Sequence, residues 1–293
     1  MLAGRRPPFL NQANMPELPE VETIARSLRE PPENDAGIIT MRVTGAKVLW
    51  EGTLANLTPR AFTRRIKGQS LEDIGRRGKF LVFTFSTDTM LIHLRMSGDL
   101  RIEKVTSPEG DMVPLLKHDH LALTFKNGLR LVFNNPRKFG RAWLLKDPRE
   151  VLDDLGPEPF DEPLTAEVFH QMLTGRSRQL KPLLMDQRFL AGLGNIYTDE
   201  ALFRVKLHPL TRSDDLAAEQ SGMLLKAIRD VLWDGIRRNG ASIDWVYRGG
   251  EFQNHFNVYG RKGDPCPDCG TLIERLLVGQ RGTHICPACQ KKK

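Results

Sequence analysis

The chain has 293 residues, 40% of them hydrophobic and 27% charged, enough to bury the cores of two domains under a hydrated surface. No run of roughly 18 apolar residues marks a membrane span and residues 1–14 lack the apolar core of a secretory signal, so a cytoplasmic protein without a membrane partner is expected. A net charge of +7 and a pI near 9.3 suit a polyanionic partner, because neutralising phosphates releases counterions.

Residues 1–14 contain Arg5, Arg6, Pro7 and Pro8 but no acid, and read as a disordered extension or as sequence upstream of a start at Met15. In Met15-Pro16-Glu17-Leu18-Pro19-Glu20, loss of Met15 would leave Pro16 with a free secondary amine. An α-amine titrates at about 8, so part of it is neutral and nucleophilic at physiological pH. Its adduct with an opened sugar is an iminium, an electron sink that favours loss of neighbouring phosphates, and Glu17 and Glu20 could move the protons. The simpler alternative is a helix opened by two prolines, with acids in the first turn where the helix dipole favours them. Val21, Ile24, Ala25 and Leu28 predict an amphipathic helix from Pro19 to Arg29, stopped by Pro31-Pro32.

Segments rich in β-branched and aromatic residues follow at Ile38–Trp50, Ala61–Ile74, Lys79–Phe85, Met90–Leu94, His120–Phe125, Leu129–Phe133 and Ala142–Leu145. With turns at Gly75–Gly78, Ser86–Thr89 and Asn127–Gly128, they predict an antiparallel β-sandwich over residues 15–146 with a flanking helix. Residues 147–163, proline-rich and acidic around Gly156, read as a linker. Helical spacing at Ala166–Leu173, Leu180–Asp186, Ile196–Phe203 and Ser213–Arg238 then makes residues 164–257 a helical domain, and the fold class α+β. In Ala191–Asn195 two glycines permit a tight turn, and Asn195 could cap the next helix and leave a phosphate site that Lys181 could also reach. By pattern alone this is a glycine turn and a capped helix. Asn239–Phe256, with Gly249-Gly250, looks like a mobile loop.

All four cysteines fall in residues 258–293, as Cys266-Pro-Asp-Cys269 and Cys286-Pro-Ala-Cys289. Such paired C-x-x-C spacing points to one closed, structural zinc site on a ribbon hairpin turning at Gly279–Gly282; two disulfides are the alternative, and would need an oxidising compartment. Arg281 at that tip could meet a phosphate or be an ordinary solvated turn residue. His284 does not fit the ligand spacing.

Pro16–Glu22, Lys181–Gln187, Gly192–Tyr197, Val258–Gly263 and the cysteine cluster together resemble the formamidopyrimidine-DNA glycosylases, over essentially Pro16 to Gln290. The resemblance implies a helix-two-turn-helix element, a zinc-ribbon finger, and a monomeric, bacterial, nucleoid-associated enzyme acting on double-stranded damaged DNA. It removes oxidised purines and then cleaves the abasic strand. The implied catalytic residues are Pro16, Glu17, Glu20, Lys79 and Arg281. The implied DNA contacts are His93, His118, Lys181, Asn195 and Tyr259, with Met96, Arg137 and Phe139 filling the gap left by an extruded nucleotide. Outside the family, Lys79 would read as a solvated turn lysine and the histidines and Tyr259 as structural. Two features depart from the pattern: the extension before Pro16, and Arg95 where the family commonly has glycine. The alternatives are an endonuclease VIII-like enzyme for oxidised pyrimidines, which usually has glycine where Leu18 stands, and a zinc-ribbon damage-binding protein without catalysis if Pro16 is not the mature N-terminus.

Overall fold

Leu18, Val21, Ile24, Ala25 and Leu28 line one face of helix α1 (Leu18–Arg29) and are all buried, as their spacing requires. The helix serves two cores: Val21 to Leu28 pack into an N-terminal sandwich, whereas Leu18 joins the core of the helical half. The computed structural model describes residues 15–30, 37–242 and 249–292. The expected extension at 1–14, the Pro31-Pro32 helix stop, the 243–248 part of the expected loop and Lys293 lie outside them.

The sandwich consists of two antiparallel sheets. One runs in the order β1 (Val43–Val48), β6 (Asp119–Phe125), β7 (Leu129–Asn134), β5 (Asp99–Lys104), and the other in the order β2 (Leu71–Arg77), β3 (Phe80–Phe85), β4 (Thr89–His93), β8 (Arg141–Leu145). Ile74, Leu81, Phe83 and Ile92 from one sheet meet Leu121, Leu123, Leu131 and Phe133 from the other in a single core. Ala61–Ile74 is not one strand. The Thr58 hydroxyl accepts the Ala61 N–H at 3.3 Å and starts helix α2 (Pro59–Ile66), whose Phe62 and Ile66, one turn apart, are both buried. The first strand is shorter than Ile38–Trp50, and β5 is an additional strand.

The linker contains helix α3 (Arg149–Leu152) and is pinned rather than loose. Gly156 N–H donates to the Gln187 carbonyl and Ala191 N–H to the Pro157 carbonyl, each at 2.9 Å. Beyond it, helices α4 (Ala166–Thr174), α5 (Leu180–Leu184), α6 (Asn195–Arg204) and α7 (Ala218–Arg237) enclose Phe169, Tyr197, Leu224, Ile228 and Leu232. The expected Ser213–Arg238 helix is interrupted, with a 3-10 turn at Ser213–Asp215 preceding α7.

The finger is the hairpin β9 (Glu274–Val278) and β10 (Arg281–Ile285), in which Arg281 pairs with Val278. Its turn is therefore Gly279-Gln280 alone, and Arg281 opens the second strand instead of sitting within the turn. No described helix is long and apolar enough to cross a membrane.

Candidate active site

Glu17 and Glu20 are 2% and 3% exposed, so each must find hydrogen-bond donors inside the protein. Glu20 Oε2 accepts the Glu17 N–H at 2.9 Å, while its Oε1 accepts the Tyr197 hydroxyl and the Ala241 N–H, both at 2.7 Å. Glu17 Oε1 accepts the Ile196 N–H at 2.8 Å. That bond caps α6, whose N-terminus has Gly194 as its N-cap residue and no cap from a neighbouring side chain. The cap expected of Asn195 is thus corrected: it comes from Glu17, far away in sequence. A Cβ on Gly194 would lie 2.3 Å from Glu17 Cδ, so only glycine lets the carboxyl approach. Glu17 Oε2 is buried and has no hydrogen-bond partner among the described residues.

Burial pushes the Glu17 carboxyl up to about 7, against the pull of Lys79 and with a push from Glu20. Burial likewise raises Glu20. It also lowers Lys79 below the usual lysine range, with Glu17 and Glu20 opposing and Arg281 assisting. Glu17, Glu20, Lys79 and Arg281 therefore share one electrostatic cluster although they come from three parts of the chain.

Lys79 is 5% exposed and is not a solvated turn lysine. The expected Gly75–Gly78 turn contracts to Gly78-Lys79, because β2 continues to Arg77. Glu158 of the linker accepts the Gly78 N–H at 2.5 Å and pairs with Arg76 at 2.6 Å and Arg77 at 3.2 Å. Arg76 also pairs with Glu22 of α1 at 2.7 Å. One linker carboxylate thus registers the lysine turn against the helix that carries the two acids.

Burial pushes His93 down to about 3, with Arg95 and Lys79 adding repulsion, so the ring is neutral and its Nδ1 accepts the Arg95 N–H at 3.0 Å. Arg95 has a φ of +55°, a left-handed conformation that glycine adopts freely and arginine does not; nothing in the structure explains why arginine stands there. Met96 and Arg137 belong to adjoining turns: the Arg137 guanidinium donates to the Met96 carbonyl and its N–H to Ser97 Oγ. Phe139 is 53% exposed, and His118 is half-buried before β6.

Lys181 requires a correction. Its ammonium is fully buried and donates to Asp199 at 2.5 Å and to the Gly282 carbonyl at 3.2 Å, so it does not present a free charge to a phosphate. Asn195 Nδ2 donates to the same Gly282 carbonyl at 3.2 Å and to the Tyr259 hydroxyl at 3.4 Å. Asp199 also accepts the His284 N–H at 2.9 Å. Its neighbour Glu200 accepts the N–H groups of Asn257, Val258 and Tyr259, each at 2.9 Å. These contacts fix the finger, and with it exposed Arg281, against α6. Glu158, Tyr197, Asp199 and Glu200 have no counterpart in the sequence reading. Adjacent acids inside the apolar Ile196–Phe203 segment were the available signal for two of them.

The four cysteine sulfurs lie within 4.8 Å of one another. Contacts of 3.9 Å between Cys266 and Cys289, 3.4 Å between Cys269 and Cys286 and 3.5 Å between Cys269 and Cys289 are far longer than a disulfide, about 2 Å. They match four thiolates around a tetrahedral zinc with Zn–S bonds of about 2.3 Å. The donor set fits zinc.

The molecule thus joins a sandwich bearing buried acids to a helical half and a four-cysteine finger. The family models agree part by part: the formamidopyrimidine-DNA glycosylase N-terminal domain matches residues 15–142, its H2TH domain residues 155–246, and the zinc finger found in FPG and IleRS residues 263–292. Formamidopyrimidine-DNA glycosylase of Protochlamydia amoebophila is 42% identical, covering 95% of this chain and 100% of the relative. The enzyme of Chloroflexus aurantiacus is 44% identical, covering 94% and 98%. The Lactococcus lactis enzyme bound to DNA containing an abasic site superposes with a TM-score of 0.84 at 32% identity, covering 94% of this chain and all of that one. A MutM complex with DNA containing carbocyclic 8-oxo-G gives 0.84 at 33% identity, with the same coverage. The chain belongs to the formamidopyrimidine-DNA glycosylase family.

Proposed function

We propose that this enzyme excises oxidised purines, including 8-oxoguanine and formamidopyrimidines, from duplex DNA and then cleaves the abasic strand, with the Pro16 amine as nucleophile. The observation that carries the reading is the state of Glu17. A carboxyl one residue from Pro16, buried, raised to about 7 and with Oε2 unpartnered among the described residues, is suited to hold a proton at neutral pH and deliver it in the reaction.

In the first step the Pro16 nitrogen bonds to the sugar carbon bearing the base, the glycosidic bond breaks, and the base leaves with the electron pair. Glu17 supplies the proton that opens the sugar ring, and Glu20 holds the Glu17 backbone in place. The iminium formed then accepts electrons as a proton leaves the adjacent carbon and the 3′ phosphate departs. A second elimination releases the 5′ phosphate. Lys79 and Arg281, close enough to influence one another, offset the phosphate charge. His93, His118, Asn195 and Tyr259 contact the strand, while Met96, Arg137 and Phe139 occupy the gap left by the extruded nucleotide. Lys181 acts indirectly, through Asp199 and the finger. One zinc, held by Cys266, Cys269, Cys286 and Cys289, stabilises the finger and takes no part in the chemistry. The enzyme works as a monomer in the bacterial cytoplasm.

The amine exists only if Pro16 begins the working polypeptide. Intact mass of the native protein together with borohydride trapping on an abasic duplex tests this. A trapped adduct from protein beginning at Pro16 is expected, and no adduct from that same protein overturns the assignment. Parallel duplexes carrying 8-oxoguanine or thymine glycol test the substrate class; preference for thymine glycol would move the enzyme to oxidised pyrimidines.

A further inference from the structure

The turn carrying Arg137 and Phe139 has little apolar support of its own, since Pro136, Arg137, Lys138 and Phe139 are all exposed. Lys138 also has a φ of +60°, which a residue with a Cβ adopts only when its surroundings hold it there. One guanidinium gathers the turn's backbone. Arg141 Nη1 donates to the carbonyls of Lys138 at 2.9 Å and Gly140 at 3.0 Å, with a longer contact to Phe139 at 3.5 Å. The Arg141 guanidinium carbon and the Lys138 ammonium each lie 5.3 Å from the centre of the Trp50 ring, within range of cation–π attraction. The ring is itself seated: a Cβ on Gly52 would come within 2.4 Å of it, and the His120 ring packs at 5.4 Å.

We propose that Trp50 and Arg141 are positioning residues that hold the Pro136–Gly140 turn in its working shape before DNA arrives. The inference rests on the reading that Arg137 and Phe139 fill the gap left by the extruded nucleotide. A turn already shaped loses no conformational freedom when the damaged base leaves the stack, so the benefit falls on extrusion. An abasic nucleotide has no base to unstack, and its cleavage should depend on the clamp far less.

Stopped-flow fluorescence of 2-aminopurine beside an 8-oxoguanine reads extrusion, and single-turnover cleavage of a preformed abasic duplex reads the chemistry. Trp50→Leu and Arg141→Gln are each expected to slow extrusion about tenfold while abasic cleavage stays within about twofold, and Trp50→Phe, which keeps a ring face, restores most of the rate. Arg137→Ala separates the two ideas. If it slows extrusion while Trp50→Leu and Arg141→Gln do not, the clamp is wrong and the gap-filling reading stands. If it leaves extrusion unchanged, the gap-filling reading falls and takes the clamp with it. Equal losses on both substrates for Trp50→Leu and Arg141→Gln would make their role a general structural one and overturn the proposal.

Discussion

Lys79 stands on a sandwich with an apolar core extending across two full sheets, whereas Arg281 stands on a hairpin whose cluster is Phe203, Val258, Cys266, Ile273 and Cys286. The sandwich can bury a lysine and, with α1, two carboxyls, because many apolar contacts offset the desolvation. The finger has no such reserve. It presents its arginine on an exposed strand end and holds position through polar pins and four clustered thiols. Depth of core thus decides whether a charged group can be perturbed by burial or must be carried in the open.

Removing the metal ligands strains that contrast most. Cys266→Ser should release zinc and disorder the finger, since metal binding supplies about 10 kcal/mol or more to such a module, while the two larger cores persist. Metal analysis and hydrogen exchange check this; zinc retained at one per chain would remove the argument. Next comes Lys181→Ala, which strands the buried Asp199 carboxylate and should destabilise the protein by about 3–5 kcal/mol in urea unfolding. The salt dependence of DNA binding should hardly change, and a slope lower by about one unit would return Lys181 to the phosphate contacts.

On the other side of the comparison, Glu17 binds its proton more tightly folded than unfolded. The ordinary value is 4.5 and the folded one about 7, so the folded form loses stability as pH rises through this window, and the loss levels off above it. Glu17→Gln, which keeps an acceptor for the Ile196 N–H, should abolish that slope. The variant should gain about 1–3 kcal/mol over the parent at pH 8 and almost nothing at pH 4.5; parallel stability curves would show the carboxyl is not perturbed by burial. The smallest stability effect belongs to Arg281→Ala, within about 0.5 kcal/mol for an exposed residue, alongside at least a tenfold loss in strand cleavage. A large drop in melting temperature would mean the arginine is structural.

Periodicity carried much of this architecture. The α1 stripe, most sandwich strands and the paired cysteines are all local patterns, and each appears in the structure. Where local signals competed, the reading failed: Phe62, Thr63 and Ile66 look like strand residues, yet Thr58-Pro59 and the Phe62–Ile66 spacing make a helix. Strand β5, with only Leu100 and Ile102 alternating among charges, was too polar to notice. The site was legible as a set of residue types but not as partnerships. Nothing near Asn195 discloses that Glu17 caps its helix, and nothing near Lys181 discloses that Asp199, on the next helix, absorbs its charge. Such pairings are properties of the folded chain and leave no trace in spacing.

The double allegiance of α1 has a practical meaning. With Leu18 rooted in one core and Val21 to Leu28 in the other, a cut anywhere in the linker would leave the helical fragment missing a piece of its wall and the sandwich fragment with Leu18 uncovered. Excised lobes should therefore aggregate when expressed separately, yet recombine when the two are produced together.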